Sequence, residues 1–396
     1  MPDSLTFQFL DVGMGDGTLV QMRKAGDGFN RLILVDYGEK GSPFTVAHKD
    51  ALKYLVKAID DNSVDSGRTT PYVDVLVLTH PDSDHFNKVP ALLNATFPSF
   101  PKKRLQFGRV RYSGNPPEYG TLISKKLKGR VTHPTGLATL PNAAHAKLTP
   151  LNELIPWDTY GTIRTYLLSA NWPTRDGDTN PKSIVLMFEL DGRRVILPGD
   201  AVIATEKHIV NTVLKGHASL ISCHGLKLGH HGSNGSSGLA WVKATRPHAI
   251  FASGDQVWTH PYCRAVCRYV KRGTLDTHFP VHSYYACGDK GAYFNNKTRL
   301  AIGMNLWYMA QKAGEKLTDE NTKKVVKAVK DTCYGVQWEL AIEAGKTMTV
   351  SRTATCVPDP ANVKKPFDCT AVTLEDERRE ELLQLLDALP LGEVPA

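Results

Sequence analysis

The sequence predicts an α/β protein that forms either one large domain with additions or two domains. Apolar runs of strand length, such as residues 73–78, recur through the N-terminal three quarters of the chain. Residues 46–60 instead place their apolar side chains at helical spacing. The 396 residues, of which 41% are hydrophobic and 22% charged, are typical of a globular protein with a sizeable core.

The strand patterns begin with residues 5–10 and 17–22, on either side of a glycine-rich turn. That turn leads into a strand, so it lacks the helix N-terminus that a dinucleotide pyrophosphate requires. A third strand is predicted at residues 31–35, directly before Asp36. Further strands are predicted at residues 73–78, 183–190, 193–197, 226–228, 249–252 and 292–294, and a helix at 237–244.

Two stretches depart from this pattern. Residues 86–180 are proline-rich, basic and weakly periodic, which predicts an elaborated insertion within a first domain of residues 1–305. Residues 306–396 differ in character and are predicted to form an appended C-terminal extension, through which a protein partner could dock. The elements expected in it are helices at 319–330 and 374–389 and a hairpin at 337–354.

The cysteine and hydropathy patterns bear on location. The 7 cysteines form no short-spaced paired framework, which favours reduced thiols. Cys263 and Cys267 lie four apart on an expected helix and are interpreted as small buried side chains. There is no basic leader with an apolar core and no apolar run of about 18 residues. We therefore expect a soluble, cytoplasmic protein with no membrane segment.

The most informative stretch is Thr-His-Pro-Asp-Ser-Asp-His at residues 79–85, directly after the strand at 73–78. A strand that ends here brings its polar side chains to one point at the edge of a sheet. The four potential metal ligands are His80, Asp82, Asp84 and His85. Imidazole nitrogen together with carboxylate oxygen suits Zn²⁺, Mn²⁺ or Fe²⁺ better than Ca²⁺ or Mg²⁺. The alternative is a polar surface turn.

Later positions supply side chains that could complete a metal site. Asp200 follows a predicted strand in a Pro-Gly turn, and its two carboxylate oxygens could bridge two cations. His230 and His231 follow the strand at 226–228, and its period-two alternation favours His230 as the inward-facing ligand. His260 lies in a loop before an expected helix. Because each follows a strand or lies in a loop, the joint interpretation is an open metal-enzyme site.

The positive charge of the chain is concentrated in residues 101–133. This window carries nine basic residues and one acid, so its net charge equals the +8 of the whole chain. Such a patch could neutralise the phosphates of a nucleic acid or nucleotide. Lys102, Lys103 and Arg104 are the candidate substrate-binding residues within it. The alternative is a solvated loop that keeps the protein soluble.

The ordered set of motifs resembles the metallo-β-lactamase superfamily, and within it the branch related to the hydrolase domain of the competence protein ComEC. The resemblance covers residues 5–300 and implies an αββα sandwich: two mixed β-sheets packed face to face, with helices outside. The motifs that carry it are Phe-Leu-Asp-Val-Gly-Met-Gly-Asp at 9–16, Asp36, His-Pro-Asp-Ser-Asp-His at 80–85, Leu-Pro-Gly-Asp at 197–200, Lys-Leu-Gly-His-His-Gly-Ser at 227–233 and His-Pro at 260–261.

The resemblance also implies two divalent ions, Zn²⁺ or Mn²⁺, and assigns the residues that hold them. The resemblance makes His80 and Asp82 ligands of the first metal, and Asp84, His85 and His230 ligands of the second. Asp200 would bridge the two metals, and Asp36 would support a ligand from behind. Two departures matter. The superfamily has His at the position of Asp82, and it has a Gly-His motif where this chain has Ser-Ile-Val at 183–185. The expected centre is therefore rich in oxygen and one ligand short, which favours Mn²⁺.

The leading functional prediction is a phosphodiesterase or nuclease that acts through a metal-bound hydroxide, in DNA processing or anti-phage defence. Asp84, His231 and His260 are the candidate catalytic residues, and Ser233 could bind developing charge. The alternatives are a hydrolase of a small ester, lactone or thioester, or a non-catalytic component of a defence assembly. An apolar pocket for the former would need Trp157, Trp172 and Trp258.

Overall fold

The computed structural model describes residues 2–12, 15–39, 48–143, 145–173, 178–253, 260–261, 265, 268–269, 276–278 and 335–355. Several predictions fall on other residues: the strand at 292–294, the helices at 319–330 and 374–389, and the side chains of Cys263, Cys267 and Trp258. These predictions lie outside the described residues.

The first sheet of the described chain has eight strands in the order β15-β14-β1-β2-β3-β4-β5-β6. Its strands are β1 (Ser4–Phe9), β2 (Gly17–Arg23), β3 (Arg31–Tyr37), β4 (Tyr72–Leu78), β5 (Gln106–Tyr112), β6 (Leu137–Thr139), β14 (Gly335–Glu343) and β15 (Thr349–Thr355). Pairing is antiparallel from β15 to β3 and parallel from β3 to β6. The sheet is therefore mixed, and β3, β4 and β5 end at the same edge.

The second sheet of the described chain has seven strands in the order β13-β12-β11-β10-β9-β8-β7. They are β7 (Asp158–Tyr160), β8 (Ile163–Ser169), β9 (Val185–Leu190), β10 (Arg193–Leu197), β11 (Gly225–Lys227), β12 (Ala249–Phe251) and β13 (Asp276–His278). Strands β7 to β10 are antiparallel, and β10 to β13 are parallel.

Alternation along the strands divides the core into three layers. On β3, Ile33 belongs to the core between the two sheets, whereas Leu34 belongs to the core under the helices. The helices are α1 (His48–Asp65), α2 (Ser83–Phe86), α3 (Val89–Leu93), α4 (Ile203–His208) and α5 (Leu239–Thr245). Leu55 of α1 packs on the first sheet and Trp241 of α5 on the second. The layers are therefore helix, sheet, sheet, helix, which confirms the predicted αββα sandwich.

The structure bears on two expectations about organisation. Within residues 86–180, β5 and β6 extend the first sheet and β7 and β8 extend the second, so this stretch contributes strands to both sheets. The predicted hairpin at 337–354 is confirmed as β14 and β15, and β14 pairs with β1 along Ser4–Phe9. This part of the C-terminal region thus belongs to the first sheet, while the boundary at 305 stays a prediction. Among the described residues, no helix combines the length and the apolar composition that a membrane crossing requires.

Candidate metal centre

The predicted ligand stretch lies where β4 ends. His80 follows β4 after one residue, and the short helix α2 folds Asp84 and His85 back toward it. His80 and His85 are fully buried, with ring centroids 4.1 Å apart. Asp84 is buried as well, whereas the side chain of Asp82 is 36% exposed. The stretch therefore places three side chains inside the protein and one at its opening.

Asp200 comes to the same point from the second sheet. It follows β10 through a tight turn in which Gly199 has φ +55°, and a Cβ on that glycine would lie 2.8 Å from Thr79. The Asp200 backbone N–H donates to Ser183 Oγ at 3.0 Å. Its Oδ1 lies 3.1 Å from His85 Nε2, and its Oδ2 lies 3.7 Å from His80 Nε2. Each carboxylate oxygen thus faces a different imidazole, as a bridging ligand requires.

The two adjacent histidines after β11 are placed differently from the prediction. β11 ends at Lys227, and residues 229–232 form a turn in which His230 and His231 have φ of 49° and 52°. His231 is buried, and its Nε2 lies 3.4 Å from Asp200 Oδ2 and 3.7 Å from Asp84 Oδ2. The His230 side chain is 27% exposed, with Nε2 3.9 Å from Asp200 Oδ2. Strand alternation stops before His230, so it does not decide between the two histidines; His231 is the more deeply buried of the two, and which of them binds metal stays a prediction.

A buried network holds the imidazoles in place. His85 Nδ1 lies 2.8 Å from Asp36 Oδ2, and Thr79 donates to the same carboxylate through its N–H at 2.8 Å and its hydroxyl at 2.7 Å. On the other side, His231 Nδ1 lies 2.8 Å from the carbonyl oxygen of Ser253. These contacts leave Nε2 of both rings directed at the cluster. Asp36 therefore lies behind His85, where the resemblance placed a supporting residue.

The charges of the cluster are strongly coupled. Burial opposes ionisation of Asp200, but His231 and His85 hold its pKa well below the usual value. Burial likewise opposes the charged form of His85, yet Asp200 and Asp36 raise its pKa well above the usual value. For Asp82, burial is outweighed by His80 and Thr179, which lower its pKa to about 2. Asp82 and Asp200 are therefore ionised and attract positive charge.

The donor set fits divalent metal ions. Four polar atoms of the cluster are buried without a hydrogen-bond partner in the described structure: His80 Nε2, His85 Nε2, His231 Nε2 and Asp200 Oδ1. Unpaired buried polar atoms are costly, and a cation would satisfy all four. Ligand atoms lie within 4.8 Å of one another in two groups that share His85: His80, His85 and Asp200, and Asp84, His85 and His231. The overlap is consistent with a binuclear site.

Comparison with known proteins adds the ancestry. No family model matches the chain. ComE operon protein 3 of Bacillus subtilis (strain 168) is 26% identical over 269 residues, which cover 64% of this chain and 29% of that protein. The chain has the metallo-β-lactamase fold and is a distant homologue of ComE operon protein 3. The match therefore spans less than a third of that relative's length.

Solved structures give weaker likenesses. A long form of RNase Z from yeast has a TM-score of 0.37 and 13% identity, covering 63% of this chain and 37% of that one. Zn²⁺-bound PqqB from Methylobacterium extorquens has a TM-score of 0.33 and 10% identity, covering 66% and 85%. Values this low say nothing about the substrate of this metallo-β-lactamase-fold chain.

Residues around the opening complete the metal centre of this metallo-β-lactamase fold. The hydroxyl of Thr179 donates to Asp82 Oδ1, and the side-chain oxygen of Asn180 is buried without a hydrogen-bond partner. This segment ends three residues before Ser-Ile-Val at 183–185, where the superfamily's Gly-His motif is missing. The His260 ring centroid is 5.6 Å from that of His230, and Ser233 ends the same histidine turn. His260 and Ser233 therefore both lie beside His230.

The basic residues Lys102, Lys103 and Arg104 do not lie at the metal centre. They are exposed and precede β5, which pairs in parallel with β4 from Tyr72 onward. Because a strand rises about 3.3 Å per residue, the length of β4 separates them from His80 by about 20 Å. They are therefore too far from the metal centre to contact a small substrate there, and their part in binding a nucleic acid stays a prediction.

Two further buried residues near the metal centre were not predicted from the sequence. Asp16 and Lys227 form a buried ion pair, and Asp16 Oδ2 lies 3.9 Å from His85 Nδ1. Both residues occur inside motifs that carried the family resemblance. Their ion pair joins the two sheets, so no pattern of neighbouring residues in the sequence predicts it. Of the tryptophans considered for an apolar pocket, Trp157 lines a different pocket and Trp258 lies outside the described residues. Trp172 stacks on His208, with ring centroids 3.5 Å apart.

Proposed function

We propose that the chain is a metal-dependent hydrolase that cleaves phosphodiesters, with nucleic acid as the substrate class. The observation that carries this proposal is the composition of the cluster, in which three carboxylates accompany three buried imidazoles. The members are Asp82, Asp84, Asp200, His80, His85 and His231. Oxygen ligands suit Mn²⁺ and phosphoester chemistry, and the resemblance of the ordered motifs to the ComEC hydrolase branch supports such an activity.

Two divalent ions held there would polarise a phosphoryl oxygen and lower the pKa of a water molecule. The chain's own residues fix the geometry. Asp200 directs Oδ1 at His85 and Oδ2 at His80 and His231. This arrangement sets the distance between the two metal sites. Asp36 holds the Nδ1 proton of His85, which leaves Nε2 as the ligand atom.

The open side of the cluster carries groups that could handle protons. Burial has the largest effect on His230 and lowers its pKa; neighbouring histidines also lower it, while Asp200 opposes them. The imidazole of His230 is therefore neutral near pH ~7. Its ring faces that of His260 across the opening. A proton released by an attacking water can be received at this histidine pair and returned to the departing oxygen.

The test uses chelator-treated protein reloaded with Mn²⁺ or Zn²⁺ and offered four substrates. These are single-stranded DNA, double-stranded DNA, bis(p-nitrophenyl) phosphate and a lactone. We expect Mn²⁺-dependent cleavage of the phosphodiesters and loss of that activity in a His80→Ala/Asp84→Ala variant. An Asp61→Asn variant, changed on the exposed face of α1, is the matched control. Turnover of the lactone with intact DNA would reject the proposal, and binding of metal without turnover of any substrate would favour a non-catalytic role.

A further inference from the structure

A second cavity opens at the edge between the two sheets, away from the metal ligands. Its volume is about 100 Å³, and it lies between β4 and β5 of one sheet and β8 and β9 of the other. Its floor is apolar and fully buried, and includes Val77, Leu186 and Phe188. None of the candidate metal ligands lines it in the described structure. We call this feature the inter-sheet pocket.

Two arginines of β5 face this pocket. Arg109 and Arg111 are two residues apart, so their side chains leave the same face of the strand. Arg111 donates through Nη1 to the carbonyl oxygen of Gly136 at 2.7 Å, whereas the Arg109 side chain makes no hydrogen bond or ion pair with any described residue. Burial, and then the charge of Arg109, lower the pKa of Arg111. Two positive charges therefore lie side by side without a compensating acid.

The one acid in the pocket wall is already engaged. Asp158 lies 2.5 Å from Arg31 Nη2 in an ion pair. The negative charge of Asp158 is therefore neutralised by Arg31 and does not offset the positive charges of Arg109 and Arg111 on β5. The inter-sheet pocket keeps an excess of positive charge above an apolar floor, which favours an anionic ligand.

The opposite wall offers a hydrogen-bond donor. Thr165 of β8 is 1% exposed and lines the pocket, and its hydroxyl has no hydrogen-bond partner. A buried hydroxyl is rarely left unpaired, because its desolvation costs free energy. At the mouth, the Trp157 side chain is 39% exposed and presents a flat apolar surface. The donors converge from both sheets, and the ring bounds the entrance.

We propose that the inter-sheet pocket binds a small organic anion. Arg109, Arg111 and the Thr165 hydroxyl would hold a phosphate or carboxylate group, and a flat apolar group would lie against Trp157. Arg111 pairs with Val77, three residues before His80, so the pocket lies about 10 Å along the strand from the metal centre. The ligand of this pocket is therefore bound separately from the metal ions.

The probes are phenyl phosphate, benzoate and inorganic phosphate, with benzyl alcohol as the uncharged analogue. Binding is measured by calorimetry on chelator-treated protein, which removes any contribution from bound metal. We expect phenyl phosphate or benzoate to bind more tightly than inorganic phosphate, and benzyl alcohol not to bind. An Arg109→Gln variant should weaken binding about tenfold or more, because a hydrogen-bonded charge is lost. A Lys102→Gln variant, which removes an exposed charge outside the pocket, should bind like the wild type.

A second variant protects the test against misfolding. Thr165→Val keeps the shape of the buried side chain and removes its donor, so it should also weaken binding, with circular dichroism confirming the fold. Absence of binding by every anion would overturn the proposal. Equal losses in Arg109→Gln and Lys102→Gln would overturn it too, since they would indicate non-specific charge attraction. Loss of binding in His80→Ala would place the anion at the metal centre instead.

Discussion

The contact between Asp36 and His85 gives the sharpest prediction for the metal centre. An Asp36→Asn substitution keeps the size of the side chain and one acceptor oxygen, which can still receive the N–H of Thr79. The new amide group would face His85 Nδ1, now 2.8 Å from Asp36 Oδ2, where an acceptor is needed. The ring then either loses this hydrogen bond or moves its proton to Nε2, the atom that faces Asp200. Either change weakens His85 as a ligand.

The expected magnitude follows from that single lost contact. Removing a partner that orients a metal-bound imidazole lowers metal affinity about 10–100-fold, or about 1.4–2.7 kcal/mol. Competition between the protein and a chelator for Mn²⁺ and Zn²⁺ measures the affinity of each site. Asp61→Asn makes the same chemical change on an exposed residue that is paired with Lys57, and should leave affinity unchanged. If folded Asp36→Asn protein binds both metals as tightly as the wild type, the supporting role of Asp36 is refuted.

Three further predictions concern nearby residues. His231→Ala should lose one bound ion and the hydrolytic activity, whereas His230→Ala should keep both ions. The number of ions bound per chain is measured for each variant, and the reverse result would contradict the observed geometry. Asp82→His replaces an oxygen donor by nitrogen and should shift preference from Mn²⁺ toward Zn²⁺, as measured by competitive titration; an unchanged preference would count against an oxygen-rich first site. Burial raises the pKa of Glu206 to about 7 from 4.5 although Ser237 and Gly238 donate to it. The folded state therefore holds this proton more tightly, and its stability should fall as the pH rises from about 4.5 through about 7. Urea unfolding should show this loss in the wild type and not in Glu206→Gln, and parallel stability curves would contradict it.

The sequence predicted the cluster at 80–85 because ligand and strand patterns are both local. Four side chains after one apolar run can only emerge at one end of β4. Asp200 was predicted for the same reason, since a Pro-Gly turn after a strand exposes the next side chain. These features depend on spacing over a few residues and need no knowledge of the tertiary structure.

The choice between His230 and His231 could not be made in the same way. Alternation is a property of strands, and β11 ends at Lys227, before either histidine. The left-handed backbone of residues 230–232 then places the His231 ring deeper in the cluster than the His230 ring. A one-residue error in the end of a strand is enough to exchange a ligand for its neighbour.

Contacts between residues that are distant in the sequence were the other limit on prediction. The basic window was treated as one patch, but β5 runs through it and carries Arg109 and Arg111 along the first sheet. Residues 130–133 then return to the start of β5, where Val131 pairs with Phe107. The strand itself was missed because Arg109 and Arg111 interrupt its apolar pattern. Those same arginines form the charged wall of the inter-sheet pocket. The ion pair of Asp16 with Lys227 likewise forms only when the two sheets pack.

The most direct measurement is the number of metal ions bound per chain, located by anomalous scattering from crystals soaked in Mn²⁺. Two peaks are predicted, one among His80, Asp82 and Asp200 and the other among Asp84, His85 and His231. The second peak should disappear in His231→Ala crystals and persist in His230→Ala crystals. No peak within the cluster at saturating Mn²⁺, or peaks unaffected by His231→Ala, would contradict a binuclear centre built from these residues.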